Sequence, residues 1–362
     1  MTGEGEIKNL IQVLLSILSS LCFCYFISSK IPGGNYRLFS LLPILSLFTF
    51  LPLRLTYAIP TLLIAFITWS ANAKLLLFAF DRGPLSPNSN PPKPLPLFLS
   101  LASLPIKITN PEKSPSDRHP KLPTKSKSTN LPLNLAAEAV ILSLLMGTMI
   151  DHRDRIHPKI VLVLYCFMAF LAVDVFVSVA NMAARAVLGL ELEPPSNHPY
   201  LATSLQDFWG RRWNPMVTNN LRHLVYDPVR SASDGVLDKD MARLTGVMAA
   251  FFVSGLVHEL LFYSITRVGP TWEMTGFFVL HGACVAAESV VRRAVPGGRP
   301  LRRVVAVPLT VGFVVATSFW LFFPPIVKGG VDVKVIQEFK WFLDITKRIL
   351  VLTCDKLVRC FH

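Results

Sequence analysis

The chain has 362 residues, of which 52% are hydrophobic and only 16% charged, and it carries a formal net charge of +13. That is too apolar and too sparsely charged for an ordinary soluble domain of this length. A strongly basic balance can signal nucleic acid, but here the Lys and Arg lie between apolar runs, so they are read as topology signals and no nucleic-acid partner is expected. They also suit acidic headgroups or an anionic cosubstrate.

In chain order, the N-terminus (MTGEGEIKN) is acidic, and no small-residue cleavage site follows the first apolar run. That run is therefore expected to be an uncleaved membrane anchor, not a signal peptide. Candidate spans fall at about 9–28, 38–54, 58–80, 131–149, 159–181, 243–265, 273–291 and 304–323. Each approaches the roughly 20 residues, at about 1.5 Å per residue, that cross a bilayer as a helix. Segment 333–352 alternates charge with Phe, Trp, Leu and Ile, and reads equally as an interfacial amphipathic helix or a ninth span. The fold class is thus all-α, a polytopic membrane protein of about eight or nine transmembrane helices.

The stretch 84–132 holds 12 of the 28 prolines and no long apolar run. Proline at that density breaks regular structure, so a solvent-exposed linker is expected, with a short interfacial piece at 97–108. Three parts follow: N-terminal transmembrane helices at 1–83, a Pro-rich cytosolic linker at 84–130, and a transmembrane core at 131–362 with a long loop at 182–242 and an amphipathic C-terminal segment. No internal repeat is visible. The cysteines (Cys22, Cys24, Cys166, Cys284, Cys354, Cys360) show neither zinc-ligand spacing nor a disulfide framework, and read as small buried hydrophobes.

With eight spans, loops 30–37, 81–130, 182–242 and 292–303 share one side and carry most of the loop basic charge. Loops 55–57, 150–158 and 266–272 share the other. The first set is expected to be cytosolic and the N-terminus lumenal.

Two polar features stand out. Loop 182–242 contains SLQDFWGRRWNPMVTNNLRHLVYDPV (204–229), where Trp209 and Trp213 flank an arginine pair. Such interleaving fits an interfacial aromatic belt, or a re-entrant element carrying polar groups into a protein-lined cavity. The second feature is FFVSGLVHELLFY (251–263), where His258 and Glu259 sit within an apolar run. On a helix, Ser254 lies four residues before His258 and shares its face, and Gly246 and Gly255 permit a close helix neighbour. An acidic residue at mid-span costs about 2.5–3.5 kcal/mol on insertion scales, so Glu259 needs a partner or a wet cavity. The dipeptide invites an H-E-x-x-H zinc reading, but Phe262 occupies the second ligand position, and His281, the next histidine, lies on another span. No metal is expected.

A buried neutral imidazole is a suitable general base near pH 7, and an asparagine amide can stabilise developing negative charge. Together these suit acyl transfer to a hydroxyl. A transporter would call for repeated carboxylates within the spans or an inverted repeat, which are not expected here. A non-catalytic scaffold would not need the His258 side chain.

DFWGRRWN (207–214), LRHLVYDPV (221–229) and MARLTGV…FFVSGLVHELLFY (241–263) together resemble the signature segments of the membrane-bound O-acyltransferase superfamily. The opening EIKNLIQVLLSILSSLCFCYFISSKIP and ANAKLLLFAFDRGPL (71–85) resemble, more narrowly, its plant wax-synthase-like branch. That branch includes long-chain-alcohol O-fatty-acyltransferases, sterol acyltransferases and diacylglycerol acetyltransferases. The resemblance implies a central tunnel surrounded by re-entrant and interfacial helices, and an endoplasmic-reticulum membrane location. It implies acyl-CoA as cosubstrate, a lipid alcohol as acceptor, membrane lipids as surroundings and no further cofactor; it carries no reading of oligomeric state. A long-chain fatty alcohol is the favoured acceptor, with a sterol or diacylglycerol as alternatives.

Residue by residue, the resemblance makes His258 the general base and Asn214 the second catalytic residue. Ser254 would hydrogen-bond near the thioester, and Glu259 would orient His258 or brace the helix. Arg222, His223 and Tyr226 would line a cytosolic mouth for coenzyme A phosphates. Asp207, Arg212 and Trp213 would belong to the substrate-binding segment. This chain has DFWGRRWN where relatives acting on glycerides and sterols have Asp-Trp-Trp-Asn, which leaves the roles of Asp207 and Trp209 open.

Overall fold

A computed structural model describes residues 3–86, 93–107, 131–189, 192–295 and 301–360. The described chain is helical throughout, with no β-strand among those residues. The main helices are α1 (Gly3–Phe26), α2 (Asn35–Phe50), α3 (Ala58–Ala79), α4 (Leu95–Ser103), α5 (Leu131–His152) and α6 (Pro158–Leu188). After the short α7 (Leu205–Asp207), α8 (Pro215–Leu221) and α9 (Asp227–Ser233) come α10 (Lys239–Thr266), α11 (Glu273–Ala294), α12 (Arg303–Thr317), α13 (Phe323–Lys328) and α14 (Val331–Cys360). Eight of the helical segments are long and apolar enough to cross a membrane: α1, α2, α3, α5, α6, α10, α11 and the composite of α12 and α13. They match the eight candidate spans, with ends shifted by several residues.

Many outward positions on these helices are large and apolar. On α1, Ile7, Ile11, Leu14, Leu15 and Leu18 are all exposed. In water that stripe would be a liability, but against hydrocarbon it costs nothing, because lipid tails are as apolar as leucine.

Polar contacts at the helix ends sort into two sets. On one side Arg37 pairs with Asp81, Lys107 with Glu193, Arg293 with Asp240, and Gln206 N donates to Glu288. On the other, Glu6 accepts from Thr56 and Tyr57, Arg267 donates to the Leu53 and Leu55 carbonyls, Lys328 pairs with Glu273, and Arg153 pairs with Asp332. Each contact joins loops expected to share a side, and the basic loops fall on the first.

One segment differs from expectation, and a second takes the first of its two expected forms, a helix that is not a span. Part of 84–132 is not a solvent-exposed linker: α4 packs on α1 and α3 with Phe98, Leu101 and Ala102 buried. Lys74, 1% exposed in α3, holds it there by donating to the carbonyls of Leu101 (2.8 Å) and Leu104 (2.6 Å) at the α4 C-terminus. A cation at that end satisfies orphan carbonyls and the helix dipole together. The rest of the proline-rich reading, at 87–92 and 108–130, lies outside the described residues. Segment 333–352 becomes part of α14, which is not among the eight spanning segments. Its Val335, Ile336 and Phe339 face the core, whereas Trp341 and Phe342 are exposed. Glu338 on α14 accepts from the backbone N–H groups of Ala58 and Ile59 (2.8 Å for Ile59) at the start of α3, so α14 begins on the side opposite the basic loops.

Candidate active site

Segment 199–233 is a chain of short turns, and its sequence explains why. Ser204 caps α7, its hydroxyl accepting from Asp207 N at 3.0 Å, and Asp207 answers by accepting from Thr203 N at 3.2 Å. Phe208–Arg212 forms a single π turn, a widened turn common at functional sites. Asn214 then adopts a left-handed backbone (φ 36°) and caps α8, its Oδ1 accepting from Val217 N at 3.3 Å, with Pro215 in the first helical position. Asn tolerates that conformation and that cap, and proline suits the position after it.

The element is not a flat interfacial belt. Trp209 enters between α10 and α11, with rings of Phe251, Phe277, Phe278 and His281 around it. Its Nε1–H donates to His281 Nδ1 at 3.0 Å. An indole N–H only donates, so Nδ1 of His281 is the unprotonated nitrogen. His281 Nε2–H then donates to Thr317 Oγ1 at 2.9 Å, and the Thr317 hydroxyl in turn donates to the Phe313 carbonyl at 2.7 Å. This fully buried histidine is thus satisfied at both nitrogens and ties the Phe208–Arg212 turn, α11 and α12 together. Its role escapes the sequence, where it shows only as an isolated polar residue in an apolar run.

His258 is arranged differently. Its Nδ1–H donates to the Ser254 carbonyl, one turn back, at 2.7 Å. A carbonyl only accepts, so Nε2 carries the lone pair. The ring lies against Phe278 (centroids 4.3 Å apart) and near Phe322 (6.0 Å). Phe322 sits on another π turn, Ser318–Phe322. The arrangement presents one basic nitrogen in an aromatic surround at mid-span.

The remaining expected residues fall into three groups. Ser254 is buried on α10, and its structural contact with His258 runs through the backbone carbonyl, not the hydroxyl. Glu259, 7% exposed, does not bond His258; its Oε1 accepts from Thr275 N at 3.2 Å, in the first turn of α11. Of the two expected roles, the brace is the one with a contact. Gly255 allows it, because a Cβ there would lie 2.7 Å from the Thr275 Cα. Gly246 likewise receives Tyr226, whose ring would meet a Cβ at 2.9 Å.

Asp207 and Arg212 form a pair (Nε to Oδ2, 2.7 Å) that staples the ends of the Trp209 turn. Burial alone would raise the Asp207 carboxyl, but the Arg212 hydrogen bond, the Thr203 N–H and the charges of Arg212 and Arg211 outweigh it and hold the group below its usual range. Trp213 stacks on Phe208 (centroids 5.6 Å) and turns its edge to Trp209. Arg222 and His223 are exposed and both lean on Asp227, on the π turn Arg222–Tyr226. The structure brings them together, and neither lines the arginine-rich cleft nearby in sequence.

That cleft, about 190 Å³, is lined by Thr203, Ser204, Gln206, Asp207, Arg211, Arg212, Arg292 and Arg303. A second, small cavity of about 10 Å³ lies behind Trp213 and Asn214 and is lined by Asp174 of α6. Asp174 is buried and hydrogen-bonded to Glu138 of α5. The spans therefore do contain several carboxylates, Glu138, Asp174 and Glu259, against the expectation from the sequence. Asn214 and His258 share no hydrogen bond among the described residues. They are linked through packed rings: His258 to Phe278, Phe278 to Trp209, and Trp209 to Trp213 beside Asn214.

Comparison with known proteins gives the family. The model of the membrane bound O-acyl transferase family matches residues 192–280, which take in the short-turn segment, all of α10 and the first eight residues of α11, ending just before His281. A long-chain-alcohol O-fatty-acyltransferase of Simmondsia chinensis is 43% identical over 356 residues, 97% of this chain and 99% of its own. A probable long-chain-alcohol O-fatty-acyltransferase of Arabidopsis thaliana is 43% identical over 95% of this chain and 98% of its own. An acyl-CoA–sterol O-acyltransferase of Arabidopsis thaliana is 38% identical over 89% of this chain and 92% of its own. The chain therefore belongs to the membrane-bound O-acyltransferase family, in its plant wax-synthase-like branch.

Proposed function

We propose that the protein esterifies a long-chain fatty alcohol with the acyl group of acyl-CoA, releasing a wax ester and coenzyme A. The observation that carries this reading is the fixed tautomer of His258: the Ser254 carbonyl holds Nδ1–H, leaving a neutral Nε2 lone pair at mid-span. A lipid hydroxyl arriving laterally gives its proton to that nitrogen as its oxygen attacks the thioester carbonyl. A tetrahedral intermediate forms; the carbon–sulfur bond then breaks, and the thiolate takes the proton back from His258. The Asn214 amide N–H group is free of the capping bond that Oδ1 makes, and serves to stabilise the oxyanion or orient a reactant.

The relatives named for long-chain alcohols support the acceptor. The one named for sterols supplies the second reading, a sterol acceptor. We place the protein in the endoplasmic reticulum membrane with its basic loops in the cytosol, where acyl-CoA resides. The test is expression in a yeast lacking neutral-lipid synthesis, fed fatty alcohol, sterol and diacylglycerol with acyl-CoAs of different lengths. Wax esters are the expected product, and exclusive formation of sterol esters transfers the assignment to the second reading. His258→Ala is expected to abolish ester formation while the protein stays in the membrane. Near-wild-type turnover in that variant refutes the mechanism.

A further inference from the structure

We infer that the arginine cleft formed by Arg211, Arg292 and Arg303 is the site that holds the phosphate groups of the acyl-CoA donor. This rests on the acyl-CoA reading above and assigns its headgroup to residues other than Arg222 and His223.

The first ground is charge. Four arginines line the cleft. Arg212 is neutralised by Asp207, and Arg292 pairs with Glu288 at 2.6 Å. Arg211 and Arg303 have no carboxylate partner among the described residues, so the cleft keeps an uncompensated positive charge. The Ser204, Thr203 and Gln206 side chains add neutral polar groups around it. A planar guanidinium presents paired donors that match phosphate oxygens, and two or three of them in one concave site select a multiply charged anion. Arg222 and His223, by contrast, already share Asp227.

The second ground is position. The cleft opens on the side of the basic loops, level with the start of α10, because Arg293 beside it pairs with Asp240. Phe278, which packs on His258, lies on the same helix as Arg292. Their separation of fourteen positions corresponds to about 21 Å of helix. An extended pantetheine arm has that order of reach between its thioester and its diphosphate. The third ground is continuity. Arg211 belongs to the same π turn as Trp209, and Asn214 follows three residues later. Seating of the donor's phosphates would thus bear on the turn that carries the second candidate catalytic residue.

The test uses the full chain in nanodiscs with saturating fatty alcohol, and palmitoyl-CoA or its 3′-dephospho analogue as donor. In the Arg211→Ala/Arg303→Ala double variant, KM for palmitoyl-CoA is expected to rise about 100-fold, roughly tenfold for each lost charge-assisted contact, with little change in kcat. The wild type is expected to bind the dephospho analogue less tightly than palmitoyl-CoA, and the double variant to discriminate less between the two. Arg211→Lys/Arg303→Lys, which keeps the charge, is expected to recover part of the affinity and covers misfolding of the alanine pair. An unchanged KM in both double variants overturns the assignment. So does a defect that appears only in nanodiscs containing phosphatidylserine and not in phosphatidylcholine alone, since the cleft would then hold a lipid headgroup. Failure of the wider reading looks different: His258→Ala retaining turnover, or a sterol as sole acceptor, leaves the KM shift for the donor intact.

Discussion

Glu259 provides a direct way to separate bracing from catalysis, because its neighbour in sequence is the candidate base. In the structure its carboxylate accepts from Thr275 N, an amide in the first turn of α11 that has no partner within its own helix. Glu259→Ala leaves that buried N–H unsatisfied, at about 1–3 kcal/mol, and removes a negative charge from a helix N-terminus, at about 0.3–2 kcal/mol. Truncation beside the close Gly255–Thr275 crossing adds a small cavity. The total, about 2–5 kcal/mol, is a large share of an ordinary stability margin. Glu259→Gln keeps an acceptor at the same place and is expected to cost only about 1 kcal/mol. Thermal melting in detergent, followed by scanning fluorimetry, should therefore rank the wild type, Gln and Ala forms in that order. Turnover per folded molecule, and its dependence on pH, should be nearly the same for the wild type and Gln. A Gln variant that melts like the wild type yet loses 100-fold in kcat would mean that the carboxylate charge acts on His258, and the bracing role would be wrong.

Asn214 does two things that substitution can separate. Asn214→Ala is expected to lose about 0.5–2 kcal/mol of cap and to strain a backbone at φ 36°, as well as about 10²–10³ in kcat. Asn214→Gly relieves the strain; if it restores full turnover in a wax-ester assay, the residue is structural only. Asp207 has its carboxyl held low by Arg212, so the pair stabilises the Trp209 turn above the ordinary aspartate range and is lost as pH falls through the lowered value. Asp207→Asn should lose part of this stabilisation at neutral pH and flatten the acid side of a stability profile measured by melting; an unaltered profile excludes the staple.

The membrane spans, their number and the sorting of loops by charge were legible in the sequence because they depend on local composition. About 20 apolar residues signal a span whatever they pack against, and a mid-span His258 signals a function because burial there is costly. The partners of those polar residues were not legible, because a hydrogen bond depends on the distance between side chains far apart along the chain. Glu259 beside His258 in sequence points to α11, Lys74 caps α4, and the proline-rich stretch hides a buried helix between its breaks. Trp209 fitted either an interfacial belt or an inserted element, and only its contact with His281, 72 positions away, distinguishes the two. The arginines of the cleft come from three separate segments, none of which is distinctive alone. Composition and spacing determined that this is a polytopic helical membrane protein with a histidine at mid-span, and the resemblance of its motifs supplied the acyl-transfer reading. Only the tertiary structure decided which nitrogen of His258 is available, which residues brace it and where the chain gathers positive charge, because each requires side chains from several helices to meet in one place.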